Sequence, residues 1–368
     1  MFAAFDLFQW AVAFASDHFH NDFTFYYAAA RIGVTHGWQS IYDLNLQQAQ
    51  LDALGSRITI AELARYISPP PVAWLAVPFT WLPYPIAYLL WSALLLAALA
   101  GTWYLAAPGT GRVRLIHLVA ALAWLPVIYA LQLGQPGLFV ALGVAGSYAL
   151  LRKHRPFLSG LALGVIVLKP QLGFLLPIAL LAGGRFRAVL GAAVSIGLLV
   201  VASGVNVGPD GMAAYAERLS FAADVPVNRQ LTLALVIGGL AAARLVQGAI
   251  AIWALALAFR LRKQPLEWMY VLALLGGLLA TPYLHLDDLV MLGLAVWLYL
   301  RIPGRPRWAW AFVFALVIAA EGIPEWGPLP LIAGEIAALV LLSVAAVRRQ
   351  PGDAEHRAAG DALTGQLP

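Results

Sequence analysis

The chain has 368 residues, of which 62% are hydrophobic and only 11% are charged, and its mean hydropathy is +0.80. These values exclude a soluble globular domain and predict a membrane protein with many apolar segments. The formal charge of +5 does not indicate a nucleic-acid-binding surface, because the basic residues fall in short clusters between apolar segments. The chain has no cysteine, so no disulfide can stabilise a loop outside the membrane.

The first apolar segment runs from Phe2 to Ser16, which is shorter than the roughly 20 residues that a helix needs to cross a bilayer. It has no basic N-terminal region and no convincing small-residue cleavage site, so it predicts a first membrane span and not a removable signal peptide. A start of the native chain upstream of Met1 is an alternative explanation of its short length.

A long extracytoplasmic loop with interfacial helices is predicted after this span, over residues 17–83. Within it, four apolar residues recur at the i, i+3, i+4, i+7 spacing of one helical face: Ile60, Leu63, Ala64 and Ile67. This pattern predicts a helix that lies in the membrane interface and ends at the prolines of residues 69–71. Residues 72–82 are apolar but too few to cross the bilayer, so they predict a second interfacial segment.

The remaining apolar runs predict an all-α polytopic membrane bundle of about twelve transmembrane helices. After the first span, the runs are 86–106, 115–132, 138–151, 157–168, 172–183, 189–205, 246–259, 268–281, 289–300, 308–320 and 329–347. No internal repeat and no soluble domain is evident, so residues 1–350 are predicted to form one domain. Residues 351–368 are polar and rich in small residues, which predicts a disordered cytoplasmic tail.

The orientation of the bundle follows from the basic residues, which cluster in alternate connections between the apolar runs. The clusters are Arg112/Arg114, Arg152/Lys153/Arg155, Arg185/Arg187, Arg260/Arg262/Lys263, Arg301/Arg305/Arg307 and Arg348/Arg349. Because basic loops are retained in the cytoplasm, this alternation predicts that both termini are cytoplasmic. The other connections, including the loop from Asn206 to Gln230, are then extracytoplasmic, and they contain the polar clusters described next.

The stretch from Asp17 to Tyr27 gathers two carboxylates, two imidazoles and two tyrosines in a chain with few charges. Ionisable groups at a membrane edge are costly unless they are solvated, paired or used, so this stretch is the candidate reaction centre. Asp22 is the candidate general base, with Asp17 as the alternate. On a helix the two would point about 140° apart, which argues against a carboxylate dyad. The alternative is that both only mark the end of a helix in water.

Neighbouring side chains suggest further roles for the same stretch. His18 and His20, together with the two aspartates, are possible ligands of a divalent cation, although a pair of histidines separated by one residue is a weak metal signal. Tyr26 and Tyr27 are candidates for contact with a sugar, and their alternative is an aromatic belt at the membrane interface.

Two cations on the predicted outer side are candidates for binding a lipid-linked phosphate. Lys169 lies at the outer end of an apolar run directly before Pro170, and Arg229 lies in a polar connection. A cation held there can neutralise a departing phosphate. The alternative for Lys169 is a lysine that extends its ammonium group to the membrane surface.

His285, Asp287 and Asp288 lie in a turn between two apolar runs on the same predicted side. A histidine there can orient an acceptor hydroxyl group or share a proton near neutral pH. For the two aspartates the favoured interpretation is a cap of the helix that begins at Leu289, with contact to the sugar or acceptor as the functional alternative for Asp288.

Taken in order, several short motifs resemble those of bacterial family 87 glycosyltransferases, in the GT-C class of membrane enzymes that use polyprenyl-phosphate sugars. They are Asp22-Phe23, Tyr26-Tyr27-Ala28-Ala29, Gly37, Ile41-Tyr42-Asp43, Tyr66 with Pro69-Pro70-Pro71, Gly134-Gln135, Lys169-Pro170, and Thr281-Pro282-Tyr283 before His285. Each motif is short, and the resemblance lies in their order over most of the chain.

The resemblance implies an inverting transfer of a hexose, often mannose, from a polyprenyl-phosphate carrier to a lipid or glycan acceptor outside a bacterial inner membrane. It implies an aspartate of the first outer loop as the general base, which corresponds to Asp22, and it adds Gln135 to the candidates for sugar or acceptor contact. The first loop lacks an Asp-x-Asp motif, which favours a mechanism without a metal or other cofactor. The expected partners are the lipid-linked donor, a lipid or glycolipid acceptor and membrane lipids.

A transporter or flippase of lipid-linked sugars is the alternative from another functional class. Transporters usually place polar groups near the membrane midplane and often have matched halves, whereas here the polar groups lie at one predicted edge. A membrane acyltransferase is disfavoured, because no catalytic serine or histidine arrangement is evident.

Overall fold

The computed structural model of the protein describes residues 2–61, 64–306 and 308–348. This part of the chain is all-helical, as predicted, and forms eighteen α-helices without a strand. They are α1 (Phe2–Ser16), α2 (Phe23–His36), α3 (Leu44–Ala53), α4 (Pro70–Ala76), α5 (Tyr84–Ala106), α6 (Gly111–Leu122), α7 (Leu125–Leu133), α8 (Gly137–Arg152), α9 (Pro156–Ala162), α10 (Leu175–Ala182), α11 (Phe186–Asp224), α12 (Leu233–Ile237), α13 (Leu240–Arg260), α14 (Leu266–Ala280), α15 (Val290–Tyr299), α16 (Trp308–Glu321), α17 (Ile323–Trp326) and α18 (Leu329–Arg348).

Short 3₁₀-helices supplement them in the described residues, at Trp38–Ser40, Val77–Phe79, Leu163–Leu168, Pro170–Leu172, Pro226–Arg229 and Leu286–Leu289. The predicted disordered tail, residues 351–368, lies outside the described residues.

Four of these helices, α5, α11, α13 and α18, are long and apolar enough to cross a membrane. The number becomes five if α6 and α7, which meet at a bend of 58°, form one span; both counts refer to the described residues. The predicted number of about twelve spans is therefore not confirmed. Other apolar runs form shorter helices, such as α8 with 16 residues and α14 with 15, which fall below the roughly 20 residues of a full span.

The interfacial helix predicted over residues 60–67 is wrong for the described residues of that segment, which are not helical; residues 62 and 63 lie outside the description. Side chains of α3 accept hydrogen bonds from backbone N–H groups that would otherwise donate within a helix. The backbone N–H of Ile60 donates to Gln48 Oε1 over 2.7 Å, and that of Tyr66 donates to Gln47 Oε1 over 2.9 Å. The apolar spacing therefore reflects a segment held against α3 in an irregular conformation.

The predicted outer loop from Asn206 to Gln230 is mostly helical, because α11 continues to Asp224. The helix breaks at Gly208, whose φ of 70° suits glycine, and Pro209 follows without a backbone donor. Beyond the break, the ring of Tyr215 stacks on Tyr42 with centroids 4.9 Å apart. This contact joins the end of α11 to the loop that follows α2.

Helix α2 is largely buried from Phe23 to Gly33, since Phe23 is 0% exposed and Tyr27 is 2% exposed. The ring of Phe23 stacks on Trp91 with centroids 5.0 Å apart, and Trp91 donates from Nε1 to the carbonyl oxygen of Gly134 over 2.8 Å. These rings therefore form part of the core and not an interfacial aromatic belt. They also fix the start of α2 beside the turn after α7.

Helices α9 and α11 cross in close contact through two glycines. A Cβ atom on Gly160 would lie 1.9 Å from the carbonyl oxygen of Ala188, and one on Gly191 would lie 2.1 Å from that of Phe157. Small residues allow such backbone approach in membrane bundles, where dispersion contacts replace the hydrophobic effect between helices.

We expect Gly191→Ala to destabilise the protein by about 1–3 kcal/mol, because the added methyl group meets backbone atoms that cannot move away easily. The matched control is Gly197→Ala in the same helix, where a Cβ atom meets nothing within 4 Å. Thermal unfolding in detergent, followed by intrinsic fluorescence, should show a lower midpoint for Gly191→Ala only. Equal midpoints for the two variants would contradict the close crossing.

Candidate active site

A cavity of about 1030 Å³ lies where the ends of several helices meet. Its walls come from the start of α2, the segment before α4, the turn between α7 and α8, the turn before α10, the end of α11, the start of α13, and the turn after α14. Seven of the nine predicted site residues line it: Asp17, Asp22, Tyr26, Gln135, Lys169, Arg229 and His285. The other two, Tyr27 and Asp288, do not line the cavity.

Asp22 lies directly before α2 and is held by contacts to the turn after α7. Its backbone N–H donates to the carbonyl oxygen of Leu133 over 2.9 Å, and its carboxylate Oδ2 accepts a hydrogen bond from Gln135 Nε2. The other end of the same amide, Oε1, accepts from the hydroxyl group of Tyr26 over 3.1 Å. The chain from Tyr26 through Gln135 to Asp22 therefore fixes the orientation of the carboxylate at the cavity wall.

Gly134 makes this contact possible. It ends α7 in the left-handed conformation with φ of 70°, and the backbone N–H of Gln135 then donates back to the carbonyl oxygen of Ala130 over 2.9 Å. A Cβ atom on Gly134 would lie 2.8 Å from Cβ of Phe23, so a larger residue would push α2 away. The glycine thus brings the side chain of Gln135 within reach of Asp22.

Burial raises the pKa of Asp22 to about 7, and the nearby Asp287 carboxylate adds to the effect. The Lys169 ammonium group and the hydrogen bond from Gln135 act in the opposite direction on the pKa, but they do not cancel it. A carboxylate with a pKa near neutral accepts a proton in a reaction more readily than one with the ordinary value, and it is still partly ionised at pH 7.

Lys169 is bound to both aspartates of the turn after α14. Its Nζ lies 2.5 Å from Asp287 Oδ2 and 2.6 Å from Asp288 Oδ1, the lysine side chain is 11% exposed, and both carboxylate side chains are 0% exposed. Burial alone would lower the pKa of Lys169, but the two carboxylates outweigh it and hold that pKa above its ordinary value. The ammonium charge is therefore neutralised inside the protein.

The same turn orients His285 towards the cavity. Its backbone N–H donates to Asp288 Oδ2 over 3.0 Å, so Asp288 caps this turn while its other oxygen binds Lys169. The imidazole Nε2 lies 2.7 Å from Asn228 Oδ1, and the ring stacks on Tyr283 with centroids 4.7 Å apart. Because Asn228 Nδ2 donates to the carbonyl oxygen of Ala222, Oδ1 is its acceptor and His285 Nε2 carries the proton.

The remaining predicted residues have local partners. Asp17 lines the exposed edge of the cavity, and its Oδ1 accepts from the backbone N–H of Phe19 over 3.0 Å. The hydroxyl group of Tyr27 donates to the carbonyl oxygen of Leu82 over 3.0 Å, away from the cavity. Among the described residues, no group of three or more His, Asp or Glu is arranged to hold a metal ion.

Sequence reasoning missed three arginines that line the cavity together with Arg229: Arg57, Arg65 and Arg244. A signal was present, because these residues lie outside the basic clusters that mark the predicted cytoplasmic connections. It also missed Asn228, whose side chain holds the imidazole of His285. The cavity thus contains the half-buried carboxylate of Asp22 together with arginines that lie far from it in the sequence.

The fold and the cavity define an all-helical membrane protein with a polar site where helix ends meet. The sequence model of glycosyltransferase family 87 matches residues 66–320, which is more than half of the chain, and the protein belongs to that family. It is therefore a membrane glycosyltransferase in general terms. Comparisons with curated proteins and with solved structures gave no match.

The matched region contains Gln135, Lys169, Arg229 and His285, whereas Asp22 precedes it. The placement of Asp22 at the site therefore rests on its contacts with Gln135 and Leu133, and not on the family match.

We expect Lys169→Met to destabilise the protein by about 3–5 kcal/mol, because it leaves two buried carboxylates without a cation. The matched control is Lys153→Met, which changes an exposed lysine. Thermal unfolding in detergent should show a large loss for Lys169→Met and little for the control. Adding Asp287→Asn and Asp288→Asn to Lys169→Met should recover part of the loss, and a triple variant less stable than Lys169→Met would contradict the ion-pair explanation.

Proposed function

We propose that the protein transfers a hexose, most simply mannose, from a polyprenyl-phosphate-linked donor to a lipid or glycolipid acceptor. The observation that supports this most directly is Asp22, a carboxylate with a pKa near neutral that is oriented by Gln135 in a large cavity. The family match supports the transfer of a sugar, and the position of the cavity at the helix ends suits a donor with a membrane-embedded tail.

The proposed reaction is a single displacement at the anomeric carbon of the donor. The Asp22 carboxylate takes the proton of the acceptor hydroxyl group while that oxygen bonds to the anomeric carbon. The bond from the anomeric carbon to the phosphate oxygen breaks on the opposite face, and the polyprenyl phosphate leaves with the electron pair. Because attack and departure occur on opposite faces, the configuration at the anomeric carbon is inverted.

Other cavity residues position the reacting groups. Tyr26 and Gln135 hold the carboxylate of Asp22 in one orientation, and holding reactants in place accounts for much of the rate in such reactions. His285, fixed by Asn228 and Tyr283, is placed to bind a hydroxyl group of the sugar or acceptor. No step requires a metal ion, so we expect turnover in the presence of a chelator.

The reaction is proposed to occur on the extracytoplasmic face of a bacterial inner membrane, with both termini in the cytoplasm. The support is the alternation of basic clusters, which fall in the connections that do not line the cavity.

We expect Asp22→Asn to lower turnover at least about 100-fold, because an amide cannot accept the acceptor proton. Asp17→Asn is the matched control, since Asp17 lies at the exposed edge of the cavity and caps a local turn. The measurement is release of polyprenyl phosphate from polyprenyl-phosphate mannose by protein in nanodiscs, with membrane lipid as the acceptor. Loss of turnover in Asp17→Asn alone would assign the base to Asp17. Movement of the lipid-linked sugar across the bilayer without turnover, unaffected by both substitutions, would indicate a flippase.

The pH dependence provides a second test of the base. Because the carboxylate is the active form, kcat/KM should decrease as the pH is lowered through about 7, the pKa of Asp22. With an ordinary aspartate as the base, the decrease would begin only near pH 4. Gln135→Leu removes a hydrogen bond that stabilises the carboxylate, so the acid limb should move to higher pH. Gln132→Leu, three residues earlier and outside the cavity, should leave the limb in place. An acid limb that Gln135→Leu does not move would contradict the assigned contact.

A further inference from the structure

The phosphate of the proposed donor requires a cationic binding site in the cavity. Lys169 was the first candidate, but its ammonium group already lies within 2.6 Å of two fully buried carboxylates. The ammonium charge is compensated by these carboxylates, and its hydrogen bonds are directed at them and not at a ligand in the cavity. A phosphate-binding group must therefore come from another wall of the cavity.

Arg229 and Arg244 provide such a wall. Arg244 lies on the face of α13 that lines the cavity, with Leu240, Ala243 and Gln247 at the i, i+3, i+4, i+7 spacing of one helical side. Arg229 ends the 3₁₀-helix that precedes α12, and its guanidinium group donates to the backbone carbonyl oxygen of Asp224 over 3.1 Å. Within the described part of the chain, neither arginine lies within 4.0 Å of a carboxylate oxygen. Their positive charge is thus available to an anion in the cavity.

The other two arginines of the cavity, Arg57 and Arg65, are less suitable. Arg65 is engaged within the protein, because its guanidinium group lies 4.4 Å from the ring centroid of Phe221 and donates to the carbonyl oxygen of Ala61 over 2.8 Å. Arg57 is exposed, and it lies on the irregular segment between α3 and α4 and not on an apolar helix.

An apolar path for a lipid tail begins beside Arg229 and Arg244. One face of α11 lines the cavity with Leu219, Ala222 and Ala223, and Leu240 of α13 lines it as well. Leu219 is 45% exposed and Leu240 is 42% exposed, so both also border the outer surface. Val205, which precedes the break of α11 at Gly208, and Leu245 of α13 are 78% and 77% exposed, as expected of surfaces that face lipid.

We propose that the donor lipid binds with its phosphate between Arg229 and Arg244 and with its tail along α11 and α13. Arginine suits this role because its planar group binds phosphate oxygens through two parallel hydrogen bonds. Lys169 is then a positioning residue, which holds the turn of Asp287 and Asp288 behind Asp22 without touching the phosphate. The proposal rests on the proposed function for the nature of the donor, but the binding of a lipid phosphate can be tested without turnover.

The test measures binding of undecaprenyl phosphate to the purified protein by native mass spectrometry. Arg229→Gln and Arg244→Gln should each weaken binding about tenfold or more, since each removes charge-assisted hydrogen bonds to the phosphate. The matched control is Arg218→Gln, because Arg218 lies on α11 near the cavity but pairs with Glu217 over 3.2 Å and does not line it. The control should bind as the wild type does, and undecaprenol, which has no phosphate, should bind weakly to all of them.

Several outcomes would overturn the proposal. Binding that falls in Arg57→Gln but not in Arg229→Gln and Arg244→Gln would place the phosphate at Arg57. If inorganic phosphate binds as tightly as the lipid, the site binds a free anion and not a lipid. If the wild-type protein binds no undecaprenyl phosphate, the proposed site does not exist.

The two proposals fail separately. Asp22→Asn should retain binding of undecaprenyl phosphate, because the base does not hold the phosphate. Arginine-dependent binding without sugar transfer by the wild type would leave the phosphate site intact and refute the proposed function. Normal sugar transfer by the Arg229→Gln/Arg244→Gln double variant would refute the phosphate site and leave the proposed function intact.

Discussion

The buried cluster of Lys169, Asp287 and Asp288 is the interaction on which the arrangement of the cavity depends. Each of these ions alone would be costly to bury, so the two turns that provide them must stay together. The lysine and the first aspartate are 118 residues apart in the chain, which makes the cluster a long-range connection between the turn before α10 and the turn after α14. The cluster also acts on Asp22, because Asp287 raises the pKa of that carboxyl group and Lys169 lowers it.

Backbone packing determines the other side of the site. Gly134 allows α7 to end directly against Phe23, and the tight turn presents Gln135 to Asp22. The matched family region begins at residue 66, so this contact joins the segment that holds the candidate base to the segment that defines the family. Where helix ends meet around a water-accessible cavity, short helices and unpaired backbone groups are tolerated, because water can satisfy them. The same groups in contact with lipid would be too costly.

The acidic and basic side chains of the cavity come from different elements of the fold. Asp22 lies on the wall formed by α2 and the turn after α7, and Arg229 and Arg244 lie on the wall formed by the connection before α12 and by α13. In a transfer with inversion, the base and the leaving phosphate must lie on opposite faces of the sugar. The proposed reaction requires that arrangement, with Asp22 on one side of the sugar and the two arginines on the side of the phosphate.

The sequence by itself determined the all-helical membrane class, and it placed several helices closely, such as 138–151 for Gly137–Arg152 and 329–347 for Leu329–Arg348. Apolar runs and basic clusters are local properties, so they can be read without the fold. The helix predicted over 60–67 was wrong for the described residues of that range, because Gln47 and Gln48 of α3 accept hydrogen bonds from the backbone N–H groups of Tyr66 and Ile60. Six of the candidate site residues were recognised from their residue types near the ends of apolar runs, and Gln135 was added by the family resemblance. The structure brings all seven to one cavity. Only the tertiary structure decided that Lys169 is neutralised by Asp287 and Asp288 while Arg244 faces the cavity, because ion pairing depends on distances in space that neighbouring residues do not specify.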